Sequence, residues 1–271
     1  MQEQARFGVR YIDVTRRFVL LAVAVGLAIV RLVSADDNVR AVQTKLRDGG
    51  FYSGEIDGAY SSQLAAALTR YQIRNGLPIT GQLDIDTSKA LGATAAVTKT
   101  AADPAQRSET WRTLRKGEQQ TANGPNTSSP GSDQSTPAVA AETSPALNVS
   151  AERLRDYIAA FVLAGLDPHV GAEVDFFADR VQYYDQGVIG REKIREDLRR
   201  YAARWPERRF WLAGDVATEP QNGNRVRVTF PLRYELRNGT KHLSGKIDKT
   251  LMLEPAGDDL QIVAVTERKA E

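Results

Sequence analysis

Apolar positions recur with a helical period near the start of the chain and with a period of two near its end. Val39, Val42 and Leu46 fall at i, i+3 and i+7, and Gly49-Gly50 follow as a stop. Leu64, Ala67, Leu68 and Tyr71 repeat the spacing, and Gly76 is placed to supply a left-handed C-cap. A third, shorter turn follows Asp84, which can cap it, and carries Ala90 and Leu91. Three such helices bury one small core, expected to hold Val42, Leu46, Ile56, Leu64, Leu68, Tyr71 and Leu77. Farther along, Ser150 is a fair N-cap for a helix with Leu154, Ile158, Phe161 and Val162 on one face. Pro168 opens a segment containing Val170, Val174, Phe176 and Phe177. A third helix starts near Gly190 and carries Ile194, Leu198, Tyr201 and Ala202 toward Trp205-Pro206. There the period changes. Val226, Val228, Phe230, Leu232, Tyr234 and Leu236 alternate, Asn238-Gly239 predicts a hairpin turn, and Leu243, Gly245, Ile247, Lys249, Leu251 and Leu253 alternate on the return. Further strands are expected over 208–218 and 260–268. Helices followed by an antiparallel meander predict an α+β layer, with the helices on one face of a curved sheet.

Between these patterned regions, residues 93–148 are dominated by Thr, Ser, Ala, Pro, Gly and Asn. Such a stretch buries too little apolar surface to offset chain entropy, so a disordered linker is expected. A coil of that length averages roughly 35–40 Å end to end. Trp111 and Leu114, spaced i, i+3, are the bulky apolar residues in its middle and mark a short transient helix or nothing.

Residues 1–35 set the expected compartment. Arg16-Arg17 precede an apolar run from Phe18 to Val30, followed by Arg31 and the small-residue exit Val33-Ser34-Ala35. Thirteen apolar residues rise about 20 Å as a helix, short of a hydrocarbon core of about 30 Å. The pattern is that of a secretory signal cut after Ala35, with an uncleaved N-terminal anchor as the alternative. Thr15-Arg16-Arg17-Phe18-Val19-Leu20 also resembles a twin-arginine export signal, with Val19 in place of the usual Phe. The leader holds five basic and two acidic residues, so the formal charge of +2 falls to −1 without it. A chain so near neutrality has no nucleic-acid footprint as a whole. With no cysteine, disulfides and a lipidated cysteine are excluded. A periplasmic or secreted, wall-associated location follows, or an inner-membrane anchorage if the leader stays.

The first patterned region resembles the peptidoglycan-binding domain of bacterial cell-wall hydrolases and envelope proteins. The resemblance is carried by the Val39/Val42/Gln43/Leu46 helix, by Gly50-Phe51-Tyr52-x-Gly54-x-Ile56-Asp57-Gly58, and by Ala66-Ala67-Leu68-x-x-Tyr71-Gln72-x-x-x-Gly76-Leu77-Pro78-x-x-Gly81. Leu64 stands where the family usually has Thr, and Asp84-Ile85 where it has Gly-Pro. What the resemblance implies is a three-helix domain over 36–92 that holds peptidoglycan, with Phe51, Tyr52, Asp57, Tyr60, Tyr71, Gln72 and Leu77 as candidate contacts. Tyr52, Tyr60 and Tyr71 either line a shallow groove for sugar and peptide groups or form the half-buried edge of the core.

The order of elements over 149–271, with Phe177-Ala178-Asp179-Arg180-Val181-x-Tyr183-Tyr184 leading into a glycine turn and an Arg-rich helix, resembles the nuclear-transport-factor-2-like superfamily, which includes SnoaL-like proteins. The resemblance implies a cone-shaped domain with a pocket near Tyr183, Tyr201, Trp205 and Trp211. Tyr183, Tyr184 and Asp185 are its candidate acid–base groups, with His169, His242 and Asp248 as outer candidates. Each also has a plain structural role open to it: core, turn or solvated surface. Asp248 shares parity with His242, so it is expected to point away from the apolar face. Arg191, Arg195 and Arg199 align at i+4, either to grip acidic groups or to pair with neighbouring glutamates.

No phosphate loop, metal-ligand spacing or nucleophile elbow is present, and no cofactor is expected. The resulting expectation is a multidomain, exported protein: a small all-α peptidoglycan-binding bundle joined by a disordered linker to an α+β cone. The cone would take a small-molecule or protein ligand. The alternatives are an enzyme acting on a small or wall-derived substrate, or a homodimerisation module.

Overall fold

The computed structural model describes residues 37–93, 104–116 and 149–270. The expected leader lies outside these residues, as does the expected linker apart from Ala93 and 104–116. Among the described residues no helix is long and apolar enough to cross a membrane.

Helix α1 spans Asp37–Asp48, α2 spans Ser62–Arg74 and α3 spans Ile85–Leu91. Three of these ends have a clear local cause. The Ser61 hydroxyl accepts from the Leu64 N–H at 3.1 Å, and the Asp84 carboxylate accepts from the Thr87 N–H at 2.8 Å. Gly76 ends α2 at φ +62°, a conformation costly for any residue with a Cβ. Val39, Val42, Leu46, Leu64, Leu68 and Leu91 are buried as their spacing predicts, whereas Ala90 is exposed. Ile56 and Leu77 are only half-buried. Ile79 is buried instead, for a reason found in the second module.

Two fully buried glutamines fix the loops of this bundle. Gln43 donates to the Asp57 carboxylate (2.8 Å) and the Ala59 carbonyl (3.1 Å), and accepts from the Gly58 N–H (2.8 Å). Gln72 accepts from the N–H groups of Thr80 and Gly81, both at 2.9 Å, and its amide faces Thr80 Oγ1, the Gln82 carbonyl and Thr87 Oγ1. A buried amide left unpaired costs about 1–3 kcal/mol, so these networks are conditions of the fold.

Residues 104–116 differ from the expected disorder. Pro104–Lys116 form helix α4, with Trp111 and Leu114 buried on one face. Helix α5, Ala151–Gly165, packs beside it, capped by the Ser150 hydroxyl on the Arg153 N–H. The segment after Pro168 becomes a 3-10 turn, Ala172–Phe176, running into strand β1, Phe177–Tyr183. Strand β2 is Val188–Gly190 and helix α6 is Arg191–Arg204. The remaining strands are β3 (Glu207–Leu212), β4 (Ala217–Gln221), β5 (Arg225–Asn238), β6 (Lys241–Ala256) and β7 (Asp259–Lys269).

The sheet order is β2-β1-β7-β6-β5-β3, and β4 pairs with β5 farther along the same edge. Asn238 pairs with Lys241 across a two-residue turn at Gly239, as the sequence predicts. The sheet is mixed rather than wholly antiparallel, because β1 runs parallel to β7. Its inner face carries Val228, Phe230, Leu251, Leu253 and Ile262 against Tyr157, Phe176 and Phe177. One apolar core continues from this face through Trp111 and Leu114 of α4 to Ala66 and Ile79 of the first module. A smaller cluster lies inside the three-helix bundle.

Candidate functional site

The bundle sorts its candidate contacts into buried and accessible ones. Tyr52 is buried and donates to the Glu55 carbonyl at 2.9 Å; its ring lies so close to Gly54 that a Cβ there would meet the hydroxyl at 2.5 Å. Gln72 is wholly internal. Neither is placed to touch a ligand. Tyr60 is half-buried and donates to the Gly81 carbonyl at 2.8 Å, and burial pushes its phenol well above the usual value. Asp57 is exposed; the Ala59 N–H and the Gln43 amide hold its carboxyl below the usual range, which marks it as a turn-former. That leaves Phe51, Tyr71 and Leu77, all half-buried. The rings of Phe51 and Tyr71 meet edge to face at 5.4 Å, making an apolar ledge at the α1–α2 turn.

In the second module the predicted pocket residues are divided between two places. Tyr183, Tyr184 and Tyr201 gather near Lys249, whereas Trp211 faces the first module and carries the Arg233 guanidinium over its ring at 4.5 Å. Trp205 is half-buried beside Arg204. Asp185 is an exposed turn residue. His169 and His242 are exposed, and Asp248 pairs with Arg268 at 3.3 Å. In the Arg-rich stripe of α6, Arg195 pairs with Glu192 and Arg191 lies 3.5 Å from Asp179, the solvated-face arrangement.

The Lys249 cluster is the feature that pattern reading missed. Lys249 occupies an inward position in the alternating row of β6 and is buried. It donates to Tyr184 Oη at 2.8 Å and pairs with Glu267 at 2.9 Å. Burial opposes its charge, yet Tyr184 and Glu267 raise its pKa above the ordinary lysine value. Tyr184 sits at φ +49°, uncommon for a residue with a Cβ. Tyr183 is buried and donates to Asp197 at 3.2 Å. Tyr201 is 37% exposed as a residue, yet the covering of its ring pushes the phenol up to about 12. A charged residue in an otherwise apolar alternating row was the available signal.

A third set of polar groups joins the modules. Asp167 is buried and accepts from Ser108 Oγ (2.7 Å), Trp111 Nε1 (2.8 Å) and the His169 N–H (2.8 Å). Arg70 on α2 forks onto Asp156 on α5, with Nη2 at 2.7 Å from Oδ2. The Ile79 N–H donates to the Phe210 carbonyl of β3 at 2.9 Å, so the bundle covers part of the sheet's open edge. Between the modules lies an open cleft of about 1200 Å³. Among the described residues no group of acidic, histidine or cysteine side chains is arranged to hold a metal ion.

Residues 35–91 match the family described as "Putative peptidoglycan binding domain". No curated protein matches the chain in sequence. Among solved structures the chain is similar to Aln2 from a Streptomyces species, at 14% identity over 43% of this chain and 87% of that one, with a TM-score of 0.38. It is also similar to a nuclear transport factor 2-like superfamily protein from Salmonella enterica serovar Typhimurium, at 13% identity over 40% and 87% of the two chains, TM-score 0.32. The beta subunit of the benzoate 1,2-dioxygenase from Burkholderia mallei gives 17% identity over 42% and 89%, TM-score 0.33. These likenesses cover the C-terminal part, where helices pack on a curved sheet.

Proposed function

We propose that the protein is an exported envelope protein that holds peptidoglycan non-covalently through its N-terminal bundle and displays the cone module beside the wall as a binding surface for a protein or small molecule. The family match over residues 35–91 carries the reading. The bundle supports it by keeping Phe51, Tyr71 and Leu77 partly open, while its buried glutamines fix the neighbouring 57–59 and 80–82 loops. Aromatic ledges of this kind suit sugar faces and apolar peptide groups. A binding role suits the cone better than an enzymatic one, because its interior is filled by Phe176, Phe177, Phe230 and Leu251. Light scattering on the full chain tests the homodimer alternative, a monomer at high concentration counting against it.

Sedimentation with purified sacculi is the direct test. The full chain should pellet with the wall, and a Phe51→Ala/Tyr71→Ala variant should lose at least about tenfold in retention, in line with removal of two anchoring aromatics. A wild-type protein left wholly in the supernatant would overturn the reading.

A further inference from the structure

The cleft between the modules has one wall from the Gly49–Gly50–Phe51 loop and the end of α2, and another from the start of α5 and the β3–β4 connection at 213–215. Half of the charged side chains that line it are already paired. Arg70 is forked onto Asp156, Arg153 reaches Asp259 at 3.5 Å, and Arg233 pairs with Glu235 at 3.0 Å while lying over Trp211. These contacts hold the walls in place without satisfying a ligand.

Four lining charges are left over. Arg74 on α2, Arg155 and Glu152 on α5, and Asp215 on the connection make no ion pair or side-chain hydrogen bond among the described residues. Glu152 and Arg155 are three apart on α5, which puts them on one side of that helix. The cleft therefore presents unpaired charges of both signs from two modules across one space. A polyanion would meet Glu152 and Asp215 and be repelled. A neutral glycan strand would leave all four charges unanswered. A short peptide with free carboxylates and a free amine answers both signs, its carboxylates on the guanidinium forks and its ammonium on the acids. The volume is at or above the top of the usual range for ligand pockets, which also favour domain junctions. Phe51 and Ile73 add apolar surface for the peptide's small side chains.

From this we infer that the intermodule cleft binds the uncrosslinked peptide stem of peptidoglycan, a zwitterionic peptide, with Arg74 and Arg155 taking carboxylates and Glu152 and Asp215 the amine. The inference rests on the wall-binding reading and adds to it. The Phe51–Tyr71 ledge meets the wall polymer, while the cleft reads its peptide and needs the cone module to be complete.

Calorimetric titration of the full chain with a synthetic stem tetrapeptide bearing free carboxylates and one free amine tests this, alongside the same peptide with its carboxylates amidated or its amine acetylated. Binding should be seen with the free peptide and should weaken at least tenfold with either blocked form. Arg74→Gln/Arg155→Gln should show the same loss with an unchanged melting temperature, since neither side chain belongs to the core. Equal binding of free and blocked peptides, or full affinity in the double variant, overturns the assignment. If sacculi are retained by the wild type but the free peptide is not bound, the cleft assignment fails and wall binding stands. If sacculi are not retained either, the wall-binding reading itself fails. Should the double variant fold poorly, the wild-type comparison of free and blocked peptides still decides.

Discussion

Gln72 shows how a residue in a recognition motif can serve the fold rather than the ligand. Its side-chain oxygen satisfies two loop N–H groups, and its amide serves the hydroxyls that place α3. Gln72→Ala should cost about 3 kcal/mol through the orphaned groups. Chemical denaturation measures that loss, and sacculus retention of the folded fraction should not change; a stable variant with weakened retention would make Gln72 a ligand contact. Asp167 is the matching residue on the other side of the seam. Burial alone would raise its carboxyl, but Ser108, the His169 N–H, Trp111 and the His169 ring together hold it below the usual range. A carboxyl depressed by folding adds stability above its unfolded value, near 4, and loses it as pH falls through the folded value. Asp167→Asn should therefore cost about 2 kcal/mol at pH 7. The gap between urea midpoints of variant and wild type should narrow toward pH 3, and a gap independent of pH would show that the charge is immaterial.

At the scale of elements, α4 changes the meaning of the segment it lies in. Its composition is that of a linker, and its spacing of Trp111 and Leu114 is too short to declare a helix by itself. Tertiary burial stabilises it: both side chains enter the core, and Asp167 takes the indole N–H. Trp111→Ala should cost about 3–5 kcal/mol, the range for removing a buried large aromatic side chain. A melting temperature within a degree or two of wild type would mean that α4 is docked only weakly. The α1, α2 and α5 helices contrast with it, since each carries an amphipathic stripe and was legible from period alone. Strand β6 marks the opposite limit. Its alternation reads as one apolar face from Leu243 onward, yet Leu243 is 45% exposed and the inward row begins only near Ile247.

At the scale of the molecule, the described residues form one compact unit. Ala66 and Ile79 of the bundle are covered by α4 and the cone, and the β3 edge is covered by the bundle. Cooperative unfolding follows from a shared core, so tryptophan fluorescence and circular dichroism should trace one coincident denaturant transition. Two separated transitions would show independent modules. A fragment of residues 36–92 should melt below the intact chain, because it exposes the apolar surface of Ala66 and Ile79 and is small for a domain with no staple.

What the sequence by itself determined were the features written in local chemistry. Helix periods, the Ser61, Asp84 and Ser150 caps, the Asn238-Gly239 turn and the alternating strands each depend on residues within a few positions of one another. The peptidoglycan-binding motif was legible for the same reason. Tertiary structure alone decided whether a motif residue faces ligand or core, as with Tyr52 and Gln72, and whether a polar segment is a leash or a docked helix. It also decided that Trp211, placed with the cone by sequence, belongs to a cleft shared with the bundle. Those outcomes turn on contacts between residues far apart in the chain, where burial and hydrogen-bond satisfaction, not local propensity, set the free energy.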